Sequence, residues 1–486
     1  MNKYPIYSEF SILINDYLNE TASQGITQEE LAKKTGIKRT NWSKYRNGKT
    51  VPRVKEFIRC LDSLPANTEF ISTLKAAYYK LIWGEDKYNQ INTVGNLISF
   101  LSRVQDNMPL KSEKAISLNN QVSGIREIDG EKAIKSEINS LVSREIEFNK
   151  RPKIDIYMSY PFPDFIEAIN NFFYTTPIKV RHIMHLKEKS LDCAQLLTGV
   201  IPFLFSNTAY STYQVFYHHG KLKSVNYQFY INFTDCVLLI SPNFKKAVLC
   251  IEPNILSFYE YNFEQLLAIC NSLVEYCSDP IKIMDFLHFD SKNTMHWIEY
   301  QPCFGRYFNK ELIDKNLSTE IPNRDEILSV AVQRYLNLEK VKNTIGFFMK
   351  EGLIHFVETG IILDIPSQIV KPLSQNERLY LLEKYRDEIA RGERTEYIAN
   401  TINFSIPYDI FIVVSKRGIF FTKYLDNGYG LFSSICIKET SFCNAFDNFV
   451  NNAADATDFL YKKEETIKLI DENIAYLESL IQNELA

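Results

Sequence analysis

The chain has 486 residues, 45% of them apolar and 23% charged, which is too long for one ordinary core and is a normal composition for a globular protein. Nine cysteines, none in CxxC spacing, argue against a disulfide framework or a zinc site. The opening MNKYPIYSEF has no apolar signal-peptide core and residues 193–205, the longest nearly uncharged stretch, are too few to span a bilayer, so a cytoplasmic protein with no membrane segment is expected.

The net charge of −4 is unevenly spread. Residues 1–84 carry thirteen Lys and Arg against eight Asp and Glu, a net of +5, which leaves −9 for the remainder. Between Lys33 and Arg59 stand ten basic residues and one acid, Glu56. A compact basic stretch on an acidic protein suits a DNA-reading module; a solvated helix face is the other reading of the same charges.

In chain order, Phe10, Ile14 and Leu18 give residues 7–21 a helical period, broken at Gly25. Thr27 with Glu30 three residues on forms a capping box for a helix over 28–34, and Gly36 suits a left-handed C′ position. A third helix over 39–46 ends at the turn dipeptide Asn47-Gly48. Pro52 precedes a fourth over 54–64, with Phe57, Ile58 and Leu61 inward and Pro65 as its stop.

This run, ITQEELAKKTGIKRTNWSKYRNGKTVPRVKEFIRCLDSL, resembles the helix-turn-helix of Cro and the phage repressors, the XRE class. Thr27-Gln28, Glu30-Leu31-Ala32, Gly36-Ile37, Asn47-Gly48-Lys49 and Pro52 carry the resemblance, which covers about an eighth of the chain. Leu31, Ile37 and Trp42 are expected to fill the core, with Ala32 small where the next helix crosses. The resemblance implies that the third helix enters the major groove of double-stranded DNA and reads bases with Arg39, Thr40, Asn41 and Lys44. Lys38, at the helix start, is also a DNA-binding residue, and Gln28, Asn47, Lys49 and Arg53 hold phosphates. It also implies a repressor-like homodimer on a palindromic operator. Two residues depart from the family pattern: Trp42 is bulky for its slot, and Arg46 stands where an acid is common.

Residues 66–105 look helical and apolar enough to pack on this head, 106–131 form a polar linker candidate, and a short amphipathic helix spans 134–146. From Lys153 strands and helices mix, with β-like stretches at 154–158 and 178–186 around a helical one at 165–173. Asp235-CVLLI-Ser241 and Asp409-IFIVV-Ser415 each lead into a turn, a second strand (247–251; 419–423) and an aromatic helix (263–267; 442–449); either a duplicated α/β half-domain or the chance recurrence of short apolar strands explains them. Near the end, Leu460, Ile467, Ile470, Ile474, Leu477 and Ile481 follow a heptad, fit either for pairing two chains or for packing on their own domain.

The expected architecture is therefore multidomain, α plus α/β. It comprises a helix-turn-helix head at 1–65, a helical connector at 66–150, two α/β halves at 151–310 and 311–455, and an amphipathic helix at 456–486.

His185-Leu-Lys187, Asp192 and Gly199 match the HxK(x)4D(x)6G pattern of phospholipase D-like enzymes, where His attacks phosphorus and Lys binds its oxygens. That site needs a second copy, and His219-Gly-Lys221, with Asn226 in place of Asp, is a poor one. His182, His185, His218 and His219 lack metal-ligand spacing and read as partly buried structural residues. With no GxxxxGK[ST], GxGxxG or GxSxG, no cofactor, metal or catalytic residue is expected. Three functions fit: a transcription factor whose body senses a small molecule, peptide or protein; an enzyme with an autoregulatory head; or an interaction component of a phage or mobile-element module. Aromatic residues of the body (Tyr157, Tyr160, Phe162, Phe172, Phe173, Tyr174) line an effector pocket or are ordinary core.

Overall fold

The computed structural model describes residues 8–104, 124–158, 177–186, 197, 200–205, 212–219, 229–277, 295–363, 365, 369–425 and 431–485. The head holds α1 (Glu9–Ser23), α2 (Gln28–Thr35), α3 (Arg39–Arg46) and α4 (Val54–Ser63), close to the sequence expectation. Next come α5 (Thr68–Trp83) and α6 (Glu85–Val104). Leu74, Ala77, Tyr78 and Tyr79 of α5 share the head's core with Phe10, Ile14, Leu31, Trp42 and Phe57. Ile91, Val94, Leu97 and Ile98 of α6 instead join the core of the body. A helix pair therefore carries the head's packing directly into that of the body.

The body is two sheets. The first contains β1 (Ile125–Asp129), β2 (Lys153–Tyr157), β3 (Lys179–His185), β4 (Thr212–His218), β5 (Phe229–Asn232), β6 (Val237–Ile240), β7 (Lys246–Cys250) and β8 (Asn271–Ser272). Among the described residues α7 (Glu131–Phe148), α8 (Ile201–Leu204) and α9 (Pro253–Leu267) accompany it. The second contains β9 (Val274–Cys277), β10 (Met295–Ile298), β11 (Thr344–Phe348), β12 (Arg394–Ile398), β13 (Ile410–Ser415), β14 (Gly418–Leu425) and β15 (Leu431–Ile437). With it go α10 (Lys310–Asn316), α11 (Arg324–Lys340), α12 (Lys350–Thr359), α13 (Gln375–Arg391), α14 (Thr440–Ala456) and α15 (Lys463–Leu485).

Seven strands repeat in order. The first sheet runs β1-β7-β6-β5-β2-β3-β4 before β8, and the second β9-β15-β14-β13-β10-β11-β12. Pairing directions repeat too: β2 is parallel to β3 and antiparallel to β5, as β10 is parallel to β11 and antiparallel to β13. A repeat is thus present in the topology, but the two stretches paired in the sequence are one strand out of step with it. The Asp409 stretch forms β13, whose counterpart is β5, whereas the Asp235 stretch forms β6. Short apolar strands look alike, and only pairing tells which neighbour each one takes.

The boundaries move accordingly. Residues 125–129 lie within the linker candidate yet form β1, an edge strand with only Ile128 buried, so it shows no hydrophobic alternation. The helix at 131–148, assigned to the connector, buries Ile134, Ile138, Leu141 and Val142 in the body's core. The halves meet near residue 273 rather than 310, because β9 and β10 belong to the second sheet. The expected helix at 165–173, and Tyr160, Phe162, Phe172, Phe173 and Tyr174, lie outside the described residues.

The heptad helix forms as α15 and packs on α13. Leu469, Ile470 and Leu477 are buried with Leu381, Leu382, Tyr385 and Ile389, and Arg386 binds Asp471 at 2.9 Å. The seam that might have paired two chains is covered by the chain's own α13, so the intramolecular alternative holds. Among the described residues no helix is long and apolar enough to cross a membrane.

Candidate nucleic-acid interface

Local chemistry fixes the head. The Thr27 hydroxyl accepts from the Glu30 N–H at 3.2 Å while the Glu30 carboxylate accepts from the Thr27 N–H at 2.8 Å, the reciprocal box that starts α2. Hydrogen bonds to Thr27 hold the Glu30 carboxyl below its ordinary range. Gly36 takes φ 70°, a left-handed position that turns the chain from α2 toward α3. Trp42 and Tyr45 then anchor α3 from inside, at 1% and 3% exposure. The Tyr45 hydroxyl donates to Glu56 at 3.3 Å, tying α3 to α4, and burial with the nearby carboxylate pushes its pKa up. Trp42 therefore fits its slot as a buried residue, and its size fills the space between helices.

With Trp42 and Tyr45 inward, Arg39, Thr40, Ser43, Lys44 and Asn47 are exposed, and Asn41 is half-buried on the flank. Lys38, the N-cap of α3, is exposed, as are Lys49 and Arg53 beyond the helix. Gln28, the first residue of α2, is half-buried. All nine residues singled out from sequence thus lie in α2, in α3 or within a few residues of α3's ends. Lys38, Arg39, Lys44, Lys49 and Arg53 make no ion pair among the described residues, which leaves five positive charges open to a polyanion.

Two details escaped the sequence. Asn47 donates one amide N–H to the Ser43 carbonyl at 2.8 Å, so part of its donor capacity closes its own helix. Ser43, four residues after Arg39 on the same face, belongs to the exposed row; the i, i+4 spacing was the signal for it. Arg46 turns sideways and donates to Asn19 of α1 at 3.3 Å.

Polar links between the head, α5 and the body gather at a strap, residues 457–462, between α14 and α15. Asp458 accepts from Ser72 at 2.7 Å and from Lys75 at 3.3 Å, and Lys75 also donates to the Thr457 carbonyl at 2.6 Å. Lys462 pairs with Asp62 of α4 at 2.6 Å, and Ala456 enters the head's core. On the body side the Phe459 carbonyl accepts from the Asn400 N–H at 2.7 Å, and the Asp458 carbonyl from the Asn400 amide at 3.0 Å. The Phe459 ring lies against Gly95 of α6, where a Cβ would fall 2.3 Å from it.

Residues 20–71 match the family model described as helix-turn-helix. The N-terminal domain is an XRE-type helix-turn-helix domain. No curated protein matches the chain. Solved structures similar to it include TrmBL2, an archaeal chromatin protein described with a novel mode of DNA binding, at 9% identity and TM-score 0.21, covering 33% of this chain. The chain spans 57% of that protein. Phosphatidylserine synthase of Haemophilus influenzae matches at 11% identity and TM-score 0.25, over 74% of this chain and 92% of its own. Polyphosphate kinase of Porphyromonas gingivalis matches at 10% identity and TM-score 0.24, over 70% and 50%. Likenesses this slight assign neither fold nor activity.

The phospholipase D-like pattern falls partly outside the described residues, which omit Lys187, Asp192, Gly199, Lys221 and Asn226. His185 ends β3, paired with His218 at the end of β4, their rings 5.0 Å apart. His219 directly follows β4 of this same sheet and cannot be the other half's copy. The strand equivalent to β3 is β11, and it ends at Phe348, followed by Met349-Lys350. The second half therefore presents Phe-Met-Lys where the first presents His-Leu-Lys.

The remaining histidines have separate environments. His182 is buried between the Tyr213 hydroxyl at 2.8 Å and the Met158 carbonyl at 3.0 Å, and burial pulls its pKa down to about 4. His219 lies 3.2 Å from Glu439, the N-cap of α14. Among the described residues no three His, Cys, Asp or Glu are placed to hold a metal ion.

Proposed function

We propose that the chain is a sequence-specific DNA-binding transcription regulator whose α/β body senses an effector and controls the placement of the head. The observation that carries this reading is the row of unpaired cations and polar side chains on α3, set by a capped α2 and a packed Trp42. Arg39 has the fork to grip guanine O6 and N7, Asn41 the amide to read adenine, and Lys38, Lys49 and Arg53 the exposed charges to hold phosphates. A palindromic operator requires two heads about one helical turn apart, so the working form is a homodimer.

Lys44→Ala and Arg39→Ala are expected to lose operator affinity while keeping the circular dichroism and melting temperature of the parent. A loss of about 1–3 kcal/mol per base-contacting side chain is the scale for such contacts. Titrations at one fixed salt concentration check it, and unchanged specific binding by both variants would reject α3 as the reading helix.

The body is read as a sensor rather than an enzyme. Phosphodiesterase chemistry of the His-x-Lys type uses a histidine from each half, and the second half offers Phe348 at that strand end.

A further inference from the structure

A helix laid on a sheet buries one side, and the side it shows to water is ordinarily charged. The helix α9 departs from that pattern. Ile255, Leu256, Tyr259, Phe263 and Leu266 pack toward the first sheet. The opposite side presents Asn254, Ser257, Phe258, Tyr261, Gln265 and Ala268, all exposed, at the three-and-four spacing of one helix face. None of the six is charged. Phe258 is 59% exposed and Tyr261 64%, and Ile269, just beyond the helix, is 65% exposed. The acids of the helix lie off this stripe. Glu264 binds Arg181 at 2.6 Å, and Glu260 projects about 100° round the helix from Tyr261.

The other half shows how this position in the fold is completed. There α14 takes α6 against it: Ile91, Val94 and Ile98 share a core with Phe446, Phe449 and Val450, and Asn448 donates to Gln90 at 3.2 Å. Among the described residues no helix packs on α9 in this way. What covers its stripe is set by the chemistry of the stripe. With no cation it holds no phosphate, so DNA and an anionic lipid surface are poor occupants. Aromatic rings with charge excluded are instead the composition of the centre of a protein interface. A two-fold contact sets a patch against itself, which a patch of one charge resists and an uncharged one permits. Asn254 and Ala268 stand equally far from Tyr261 in sequence, so the stripe is centred on that ring and an antiparallel copy covers its whole length.

We propose that α9 is the contact between two copies of this chain, crossing its own copy antiparallel at Tyr261, with Phe258 and Tyr261 of each copy covering the rings of the other. The proposal rests on the regulator reading, because a palindrome is read by two chains. The heptad seam of α15 does not supply that contact, since α13 covers it. The helix α9 lies on the first sheet, whereas the strap follows α14 of the second half, so pairing through α9 leaves the strap of each chain in place.

The test uses the full chain without DNA, its mass read by light scattering over a concentration series. The parent is expected to be a dimer. Phe258→Arg and Tyr261→Arg change exposed side chains, so each is expected to keep the circular dichroism of the parent. Each is expected to raise the dimer dissociation constant roughly tenfold or more, Tyr261→Arg by setting two like charges at the crossing. Tyr476→Arg, the same kind of change at an exposed ring of α15, is expected to leave the mass unaltered. In hydroxyl-radical footprinting at equal concentration, Phe258 is expected to be shielded in the parent and open in Tyr261→Arg. A monomeric parent, a dimer that both α9 variants leave intact, a dimer that Tyr476→Arg dissociates as well, or equal oxidation of Phe258 overturns the contact. Monomeric α9 variants that bind a palindromic operator as tightly as the parent leave the contact standing and remove paired heads from the regulator reading.

Discussion

At the scale of single residues, the head is held by a few side chains whose roles follow from their types. Thr27→Ala removes the N-cap of α2 and is expected to cost about 1 kcal/mol, read as a lower urea midpoint with an unchanged slope. Trp42→Ala empties the centre of the head and is expected to cost about 3–5 kcal/mol, enough to unfold α1–α4 and abolish DNA binding together. His182 gives a pH signature. Its folded pKa of about 4 lies below the ordinary 6.5, so between those values the unfolded chain binds the proton and the folded one does not. Stability is therefore full above pH 6.5 and falls as pH drops toward 4; denaturant titrations across that window should show a shallower slope for His182→Gln. The capping box, Gly36 and the buried Trp42 were legible in the sequence because each is a local, stereochemical requirement. The engagement of Asn47 with Ser43 was not, since a surface amide has several donors' worth of choices and only the helix end decides among them.

At the scale of elements, periodicity identified what would be a helix and left open which surface it would meet. The heptad of α15 is the clearest case: its apolar stripe is real, and α13 supplies the groove. Leu477→Ala, fully buried in that contact, is expected to cost about 2–5 kcal/mol without changing the oligomeric mass by light scattering. A drop from dimer to monomer would instead assign the seam to chain pairing. The strand β1 shows the opposite limit: an edge strand with one buried residue has no alternation to read, and only its pairing with β7 draws it into the sheet. The repeated strand order explains why two apolar stretches looked alike and why they could still be matched one strand off.

At the scale of the whole molecule, the two halves share an order of strands but not a surface. The helix that follows the last of the seven repeated strands is α9 in one half and α14 in the other. Residues Phe442, Phe446, Phe449 and Val450 of α14 are buried, and its Asn448 binds Gln90 of α6 at 3.2 Å. In α9 only Phe263 is buried, and Phe258 and Tyr261 face out. Among the described residues, polar links from α5, α6 and the head to the body run to the second half, through Asn448, Ser405 and the strap. Asp458→Ala combined with Lys462→Ala removes the strap's side-chain links to α4 and α5, and faster amide exchange in α1–α5, with that of the sheets unchanged, is the expected readout. The strap also imposes an order in time. Ser72 and Asp458 are 386 residues apart in sequence, so during synthesis at about 5–20 residues per second the head emerges roughly 20–80 s before its tether. Among the described residues the head's buried core draws on residues 10–79 and on Ala456 alone from beyond them, so in that interval the head has nearly all of its core in hand. A chain arrested before residue 457 carries the helix-turn-helix head without the strap that ties it to the body.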